Sequence, residues 1–399
     1  MRQLLLLILF LALFFRFNHL NWDQSYHLHP DERFLTMVGQ AMQLPKNFEE
    51  YFNQKQSLLN PFNIGFNFYV YGIFPLVLTK YLAASFGMDS YNEFTLLGRF
   101  LSALVDFLTV ILVYKTAKLL FEKYKNVSRS MLQVIPLFSA LFYAVSVYPI
   151  QSSHFFTADT FLNFFMFGSF YLILKDYNVS RLTFNFFISS VFFSLALASK
   201  ISALYILPLN LGVLSLIKVI KTFFNKESFF KKQSLFMIFL AVFFVGLYLV
   251  VSYFFLRLFN PYYFDSPSFF NINLNKNFSE SIKLLTLLSN SDAWYPPAVQ
   301  WMNKPWYGLL LTTFFAGLGP INFIVMLIGL ISLLISLKSK VKNQKLHLRI
   351  KSLIILSIIL WVFGYFIYQS LQFVKSIRYT IYLYPFFAIF GGIGMSVIS

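Results

Sequence analysis

Residues Phe62 to Phe86 read FNIGFNFYVYGIFPLVLTKYLAASF, an apolar run as long as a bilayer-crossing helix. Whether this run crosses decides the topology of everything that follows it. The rest of the chain is built from similar runs: 58% of its 399 residues are apolar and only 12% are charged. This is the composition of an all-α polytopic membrane protein, and no segment reads as a soluble domain. Ten further runs fall near Leu4 to Phe17, Leu96 to Phe121, Met131 to Ile150, Thr157 to Leu174, Thr183 to Ala198, Ile201 to Ile217, Ser234 to Leu258, Tyr307 to Leu337, Ser352 to Leu371 and Tyr379 to Ile398.

Charge settles the orientation. If Phe62 to Phe86 lies along the interface and the other ten runs cross, the loops Glu122 to Ser130, Lys175 to Arg181, Lys218 to Lys232 and Lys338 to Lys351 share a side with Arg2. With the helix ends, that side collects 19 of the 32 basic residues and three of the 15 acids. A crossing at Phe62 to Phe86 would put Arg2 opposite those loops, against the positive-inside bias. The expectation is a single domain over residues 1–399 with about ten transmembrane helices. Two long extracytoplasmic loops, 18–95 and 259–306, carry its polar residues, and the first also holds amphipathic interfacial helices.

The net charge of +17 sits mostly in those short loops. Membrane retention of Lys and Arg accounts for it, and nucleic-acid binding is excluded. The absence of cysteine removes disulfides and thiolate chemistry. No small-residue cleavage site follows the first run, so it reads as a retained signal anchor. The chain stops at Ser399 directly after a span, which reads as a fragment or a minimal core.

Against this apolar background, His27-Leu28-His29-Pro30-Asp31-Glu32-Arg33 is a dense polar cluster just beyond the first run. Ionisable groups at the mouth of a helix bundle are costly unless something uses them. Helix neighbours diverge by about 100°, so one acid can face a cavity while the other caps a helix or binds a neighbour. A carboxylate here is a candidate general base, and helix capping with Pro30 as first helical residue is the alternative. His27, His29 and distant His154 have the donor types for a divalent metal or for acceptor contacts. No spaced metal motif supports the metal, and hydrogen-bonded histidines are the competing reading.

Asp159 follows His154 at a helix start, where Thr157 is the expected N-cap. Arg99 and Asp106 share a helix face, with Arg99 near the outer end and Asp106 deep enough to need a partner from another helix. Lys200 splits two short runs and reads either as a snorkelling lysine at a hairpin or as a phosphate ligand, while Lys375 and Arg378 break the positive-inside trend, so a bound anion is an attractive explanation for them. The second loop carries Tyr262, Tyr263, Trp294 and Trp301, either an interfacial aromatic belt or a substrate loop. No Walker loop or dinucleotide fingerprint is present, and Gly391-Gly392-Ile393-Gly394 reads as helix packing.

The order and spacing of five motifs resemble the GT-C membrane glycosyltransferases, in particular the family of protein O-mannosyltransferases and lipid A aminoarabinose transferases. These motifs are Asp31-Glu32 after the first span, Gly98 to Leu104 opening the second, His154 to Asp159, Leu195 to Leu204, and Arg378-Tyr379 with Pro385. The resemblance implies inverting transfer of a hexose or pentose from a polyprenyl-phosphate carrier to a lipid, protein or glycan acceptor, at the outer face of the plasma membrane. It implies Asp31 as base, Glu32 and Asp159 as positioning acids, and Arg99, Lys200 and Arg378 on the phosphate leaving group. Two departures stand out: Arg33 directly follows the acids, one position earlier than in the aminoarabinose transferases, and the lumenal repeat domain of the mannosyltransferases is absent. A secondary transporter or lipid flippase is the alternative class. It would place ionisable groups at the midplane in two repeated halves, whereas here only Asp106 reads as deep.

Overall fold

The computed structural model describes residues 2–121, 129–176, 183–217, 231–293, 295–340 and 346–399. The basic loops used for orientation fall largely outside the described residues. Among these, the chain is helical and has no sheet. Strand-like pairing among the described residues is limited to two isolated bridges, Tyr71 to Lys200 and Phe264 to Leu274.

The first helices are α1 (Arg2–Phe17), α2 (Pro30–Ala41), α3 (Phe48–Phe52) and α4 (Phe74–Phe86). Next come α5 (Tyr91–Phe121), α6 (Arg129–Ala144), α7 (Val147–Ser153), α8 (Ala158–Lys175), α9 (Phe184–Ser199) and α10 (Leu207–Ser215). The last long helices are α11 (Lys231–Phe259), α12 (Lys276–Leu288), α13 (Pro320–Lys340), α14 (Leu346–Leu371) and α15 (Tyr384–Ile398). Among the described residues five segments are long and apolar enough to cross a bilayer, and α6 with α7, bent by 56°, makes a sixth. The expected ten crossings are not reached on length and composition. Phe184–Ser199 and Ile201–Ser215 are shorter because extended Lys200 interrupts them.

The Phe62 to Phe86 run is not one helix. It begins in a 3-10 turn, Pro61–Ile64, continues as irregular backbone that ends extended at the bridge residue Tyr71, and only then forms the 13-residue α4. At 1.5 Å per residue α4 is about 20 Å long, short of the roughly 30 Å hydrocarbon core. Gly72 is essential where the extended part meets the bundle: a Cβ there would lie 1.8 Å from the Ala198 carbonyl oxygen. Its N–H donates to Ser199 O at 2.9 Å, and this close approach seats Tyr71 beside Lys200.

The most enclosed of these spans runs from Ile377 to Ile398, with 83% of its apolar 18-residue window buried, against 17% for that of Ile238–Phe259. Its C-terminal part, α15, packs on α6 and α13. Gly394 permits this, because a Cβ would lie 1.9 Å from Val325 O on α13. The Gly391 to Gly394 stretch therefore acts as a packing surface, as expected.

Asp106 finds the interhelical partner its depth demanded. Arg16 Nε donates to it at 2.7 Å and Tyr143 Oη at 2.6 Å, all three residues fully buried. Arg16 also donates to the carbonyls of Ala144 and Tyr143 at the α6 bend. Removing one partner of such a pair costs about 3–5 kcal/mol, because the other charge is left buried and uncompensated.

Candidate functional site

The site begins at the start of α2. His29 is the N-cap, its Nδ1 accepting the Glu32 N–H at 3.3 Å, and Pro30 is the first helical residue. Asp31 and Glu32 then favour the positive end of the helix dipole. The adjacent carboxylates diverge, and the fold gives them different surroundings.

Glu32 turns inward and is fully buried. It accepts from Arg99 Nε and Nη2, both at 2.7 Å, and from the Phe156 N–H at 2.8 Å. Asp23 grips the other side of the same guanidinium, at 2.9 and 2.8 Å, and Leu20 O takes a further N–H. All five N–H groups of Arg99 are thereby used. The arginine expected to bind donor phosphate is instead saturated and only 1% exposed, and Glu32 is its counterion. Arg99 holds the Asp23 carboxyl down at about 2. Asp23 in turn accepts from the N–H groups of Ser25 and Leu28, organising a loop in which His19, Gln24, Ser25 and His27 all have positive φ.

Asp31 turns the other way. It accepts a hydrogen bond from Arg378 Nη1. Arg378 Nε lies 4.0 Å from Asp159, and Lys200 Nζ donates to Asp159 at 2.6 Å. Asp31, Arg378, Asp159 and Lys200 thus form an alternating chain of charges drawn from α2, the 3-10 segment Ile377–Leu383, the first turn of α8 and the break after α9. Thr157 occupies the N-cap position of α8 but makes no capping hydrogen bond. Lys200 also sits 5.8 and 5.7 Å from the rings of Tyr71 and Tyr379. Arg378 is not saturated: it donates to Asp31, Tyr71 is also within its reach, and among the described residues Nε is buried without an acceptor.

A cavity of about 530 Å³ opens beside this quartet, lined by Lys200, Arg378, Tyr71, Tyr379, Gln369 and Gln372 among others. Tyr205, Tyr365 and Tyr368 separate it from a second hollow of about 330 Å³ over Leu360, Trp361 and Gly364 of α14. Trp361 donates to Tyr205 O at 2.7 Å and stacks on Tyr365, which fixes this aromatic wall. Exposed Leu360 and Ile367 continue it along the apolar outside of α14.

The remaining expected site residues lie elsewhere or serve other contacts. Lys375 donates to Gln372 O and does not line the cavity. Tyr262 and Tyr263 are buried in the core, donating to Tyr51 O and Leu197 O, so they are packing residues and not a substrate surface. Trp301 does not line the cavity, and Trp294 lies outside the described residues. His27 bonds Asn92 at 2.7 Å, and His154 faces the carbonyls of Ile150 and Asn18. Among the described residues no group of three or more His, Asp or Glu is arranged to hold a metal ion. The two acids that do converge, Asp31 and Asp159, have a guanidinium and an ammonium against them. Sequence reasoning missed Asp23. Its signal was an isolated acid eight positions before Asp31 in a chain with only 15.

No protein-family model and no curated protein matches the chain. Solved structures do. An oligosaccharyltransferase from Archaeoglobus fulgidus, in complex with Zn and sulfate, superposes over 99% of this chain and 49% of its own, with TM-score 0.60 and 15% identity. The same archaeal enzyme, AglB, with an inhibitory peptide and a dolichol-phosphate, gives 0.58 and 15% over 99% of this chain and 50% of its own. ArnT from Cupriavidus metallidurans in the apo state gives 0.51 and 13%, over 99% of this chain and 58% of its own. The chain spans about half the length of the structures it matches. At such identities the likeness establishes architecture, and the chain is an integral membrane protein with the fold of the GT-C glycosyltransferases.

Proposed function

We propose that the chain is a membrane glycosyltransferase that moves a sugar from a polyprenyl-phosphate carrier to an acceptor hydroxyl at the extracytoplasmic face. The observation that carries this reading is Arg378. It is a guanidinium with donors to spare, beside a carboxylate, at the rim of a cavity that shares an aromatic wall with an apolar hollow on the outside of the bundle. A lipid phosphate matches both halves, its charged head on Arg378 and Lys200 and its tail along α14. The dolichol-phosphate and peptide held by the archaeal enzyme of this fold support a lipid-linked donor and a separate acceptor.

The chemistry follows from the quartet. The acceptor oxygen attacks the anomeric carbon as its proton passes to Asp31, the bond to the phosphate oxygen breaks, and polyprenyl phosphate leaves. One displacement inverts the anomeric centre. Charge grows on the departing phosphate, where Arg378 and Lys200 stabilise it more strongly than in the ground state. Arg378 also links the two substrates: when it turns its donors to the phosphate, Asp31 is left free to accept the acceptor's proton. Asp159 holds Lys200 in place.

Transport is disfavoured by the deepest acid, because Asp106 is locked to Arg16 and Tyr143 and faces no pathway. The test is a panel of polyprenyl-phosphate hexoses and pentoses with hydroxyl acceptors, given to the purified protein. A product of acceptor-plus-sugar mass with inverted anomeric configuration is expected. Absence of any sugar transfer, together with vesicle uptake of a donor lipid, would replace this reading with the flippase.

A further inference from the structure

The fold treats the two nitrogens of His29 differently. Nδ1 accepts a backbone N–H, so it keeps its lone pair and the neutral ring carries its proton on Nε2. Among the described residues Nε2 has no hydrogen-bond partner. The ring is held face to face with Phe155, centroids 4.3 Å apart and planes 28° apart. Phe155 meets Trp22 edge-on at 5.5 Å, and the Arg99 guanidinium lies 5.4 Å over Trp22. The imidazole is therefore braced by the saturated clamp, with one N–H left to offer. The charged groups acting on it are Asp31 and Glu32 from its own helix, Asp159 from α8, and Arg378. Burial outweighs the acids and lowers the ring's pKa below the ordinary imidazole value, favouring the neutral form.

We propose that His29 is an acceptor-binding residue, donating its Nε2–H to the nucleophilic hydroxyl oxygen that Asp31 deprotonates. The inference rests on the transferase reading and names the acceptor as a neutral hydroxyl compound. Two observations favour the acceptor over the donor. His29 does not line the donor cavity, which already has Lys200 and Arg378 for phosphate. A neutral donor can also hold a hydroxyl two residues from Asp31 without placing a competing cation beside the base.

Two substitutions separate this role from helix capping. Asn is among the best N-caps but ends short of the Nε2 position, whereas Gln places an N–H near Nε2 and is not a preferred cap. The protein is assayed with a polyprenyl-phosphate hexose as donor and octyl glucoside as the hydroxyl probe, and binding of undecaprenyl phosphate is measured separately. H29N is expected to keep its unfolding temperature and its undecaprenyl-phosphate affinity, while its acceptor KM rises about tenfold, the loss of one hydrogen bond. H29Q is expected to unfold at lower temperature with an acceptor KM near wild type. Wild-type acceptor KM in H29N overturns the proposal, as does a loss of undecaprenyl-phosphate affinity in H29N, which would move His29 to the donor side. Wild-type protein that turns over no donor overturns the transferase reading, and this inference with it.

Discussion

Arg99 and Arg378 are two guanidiniums flanking one short helix, each against one acid of the Asp31-Glu32 pair, and the fold uses them in opposite ways. Arg99 has five N–H groups and five bonds, between two carboxylates and a carbonyl, with 1% of its side chain exposed. Among the described residues Arg378 has a hydrogen bond to Asp31, a buried Nε without an acceptor, and 30% exposure at the rim of a cavity. A saturated buried charge can only hold structure, because any new ligand must first break existing bonds. An unsaturated one at a cavity keeps donors that an anion could take. Exposure and residual bonding capacity, more than residue type, separate the scaffold from the site.

The largest expected effect is on the site side. Asp31→Asn should cut sugar transfer by about 10²–10⁴-fold, the range for a lost general base, with an unchanged unfolding temperature. A matched loss of stability would move Asp31 to the scaffold. Next is the clamp: Arg99→Met should destabilise by about 3–5 kcal/mol, because Asp23 and Glu32 are left buried without a counterion. Thermal unfolding in detergent reads this, and a stable Arg99→Met protein with failed donor binding would reverse the comparison. Lys200→Met should weaken transfer about tenfold by removing one charge-assisted bond to phosphate. An unchanged rate would assign Lys200 to anchoring Asp159 alone.

The clamp also has a pH dependence. The folded-state pKa of Asp23, about 2, lies below the unfolded carboxylate value of roughly 3.9. Its contribution is therefore present above about pH 4 and lost as pH falls toward 2. Unfolding temperature should drop across that window in wild type and drop less in Asp23→Asn.

Much of this was legible in the sequence because charge is conspicuous in an apolar chain. Asp31, Asp159, Lys200 and Arg378 stood out for that reason, and the fold brings them together. The opposite orientations of Asp31 and Glu32 follow from helix geometry. The order of motifs also pointed to the GT-C fold. The partner of Arg99 was harder to read: Asp23 sits in a loop of positive-φ residues with no periodic pattern to place it. The roles of Tyr262 and Tyr263 were ambiguous in principle, since an aromatic ring fills a core as well as it faces a sugar. The span count is not confirmed: the two runs around Lys200, short already in the sequence, fall below a crossing by length alone.

The most direct measurement is undecaprenyl-phosphate binding to Arg378→Met alongside its thermal unfolding. The account predicts a loss of affinity of about tenfold to a hundredfold, with the unfolding temperature of the wild-type protein retained. Unchanged affinity with a lowered unfolding temperature would contradict it, because Arg378 would then be a second scaffold arginine like Arg99.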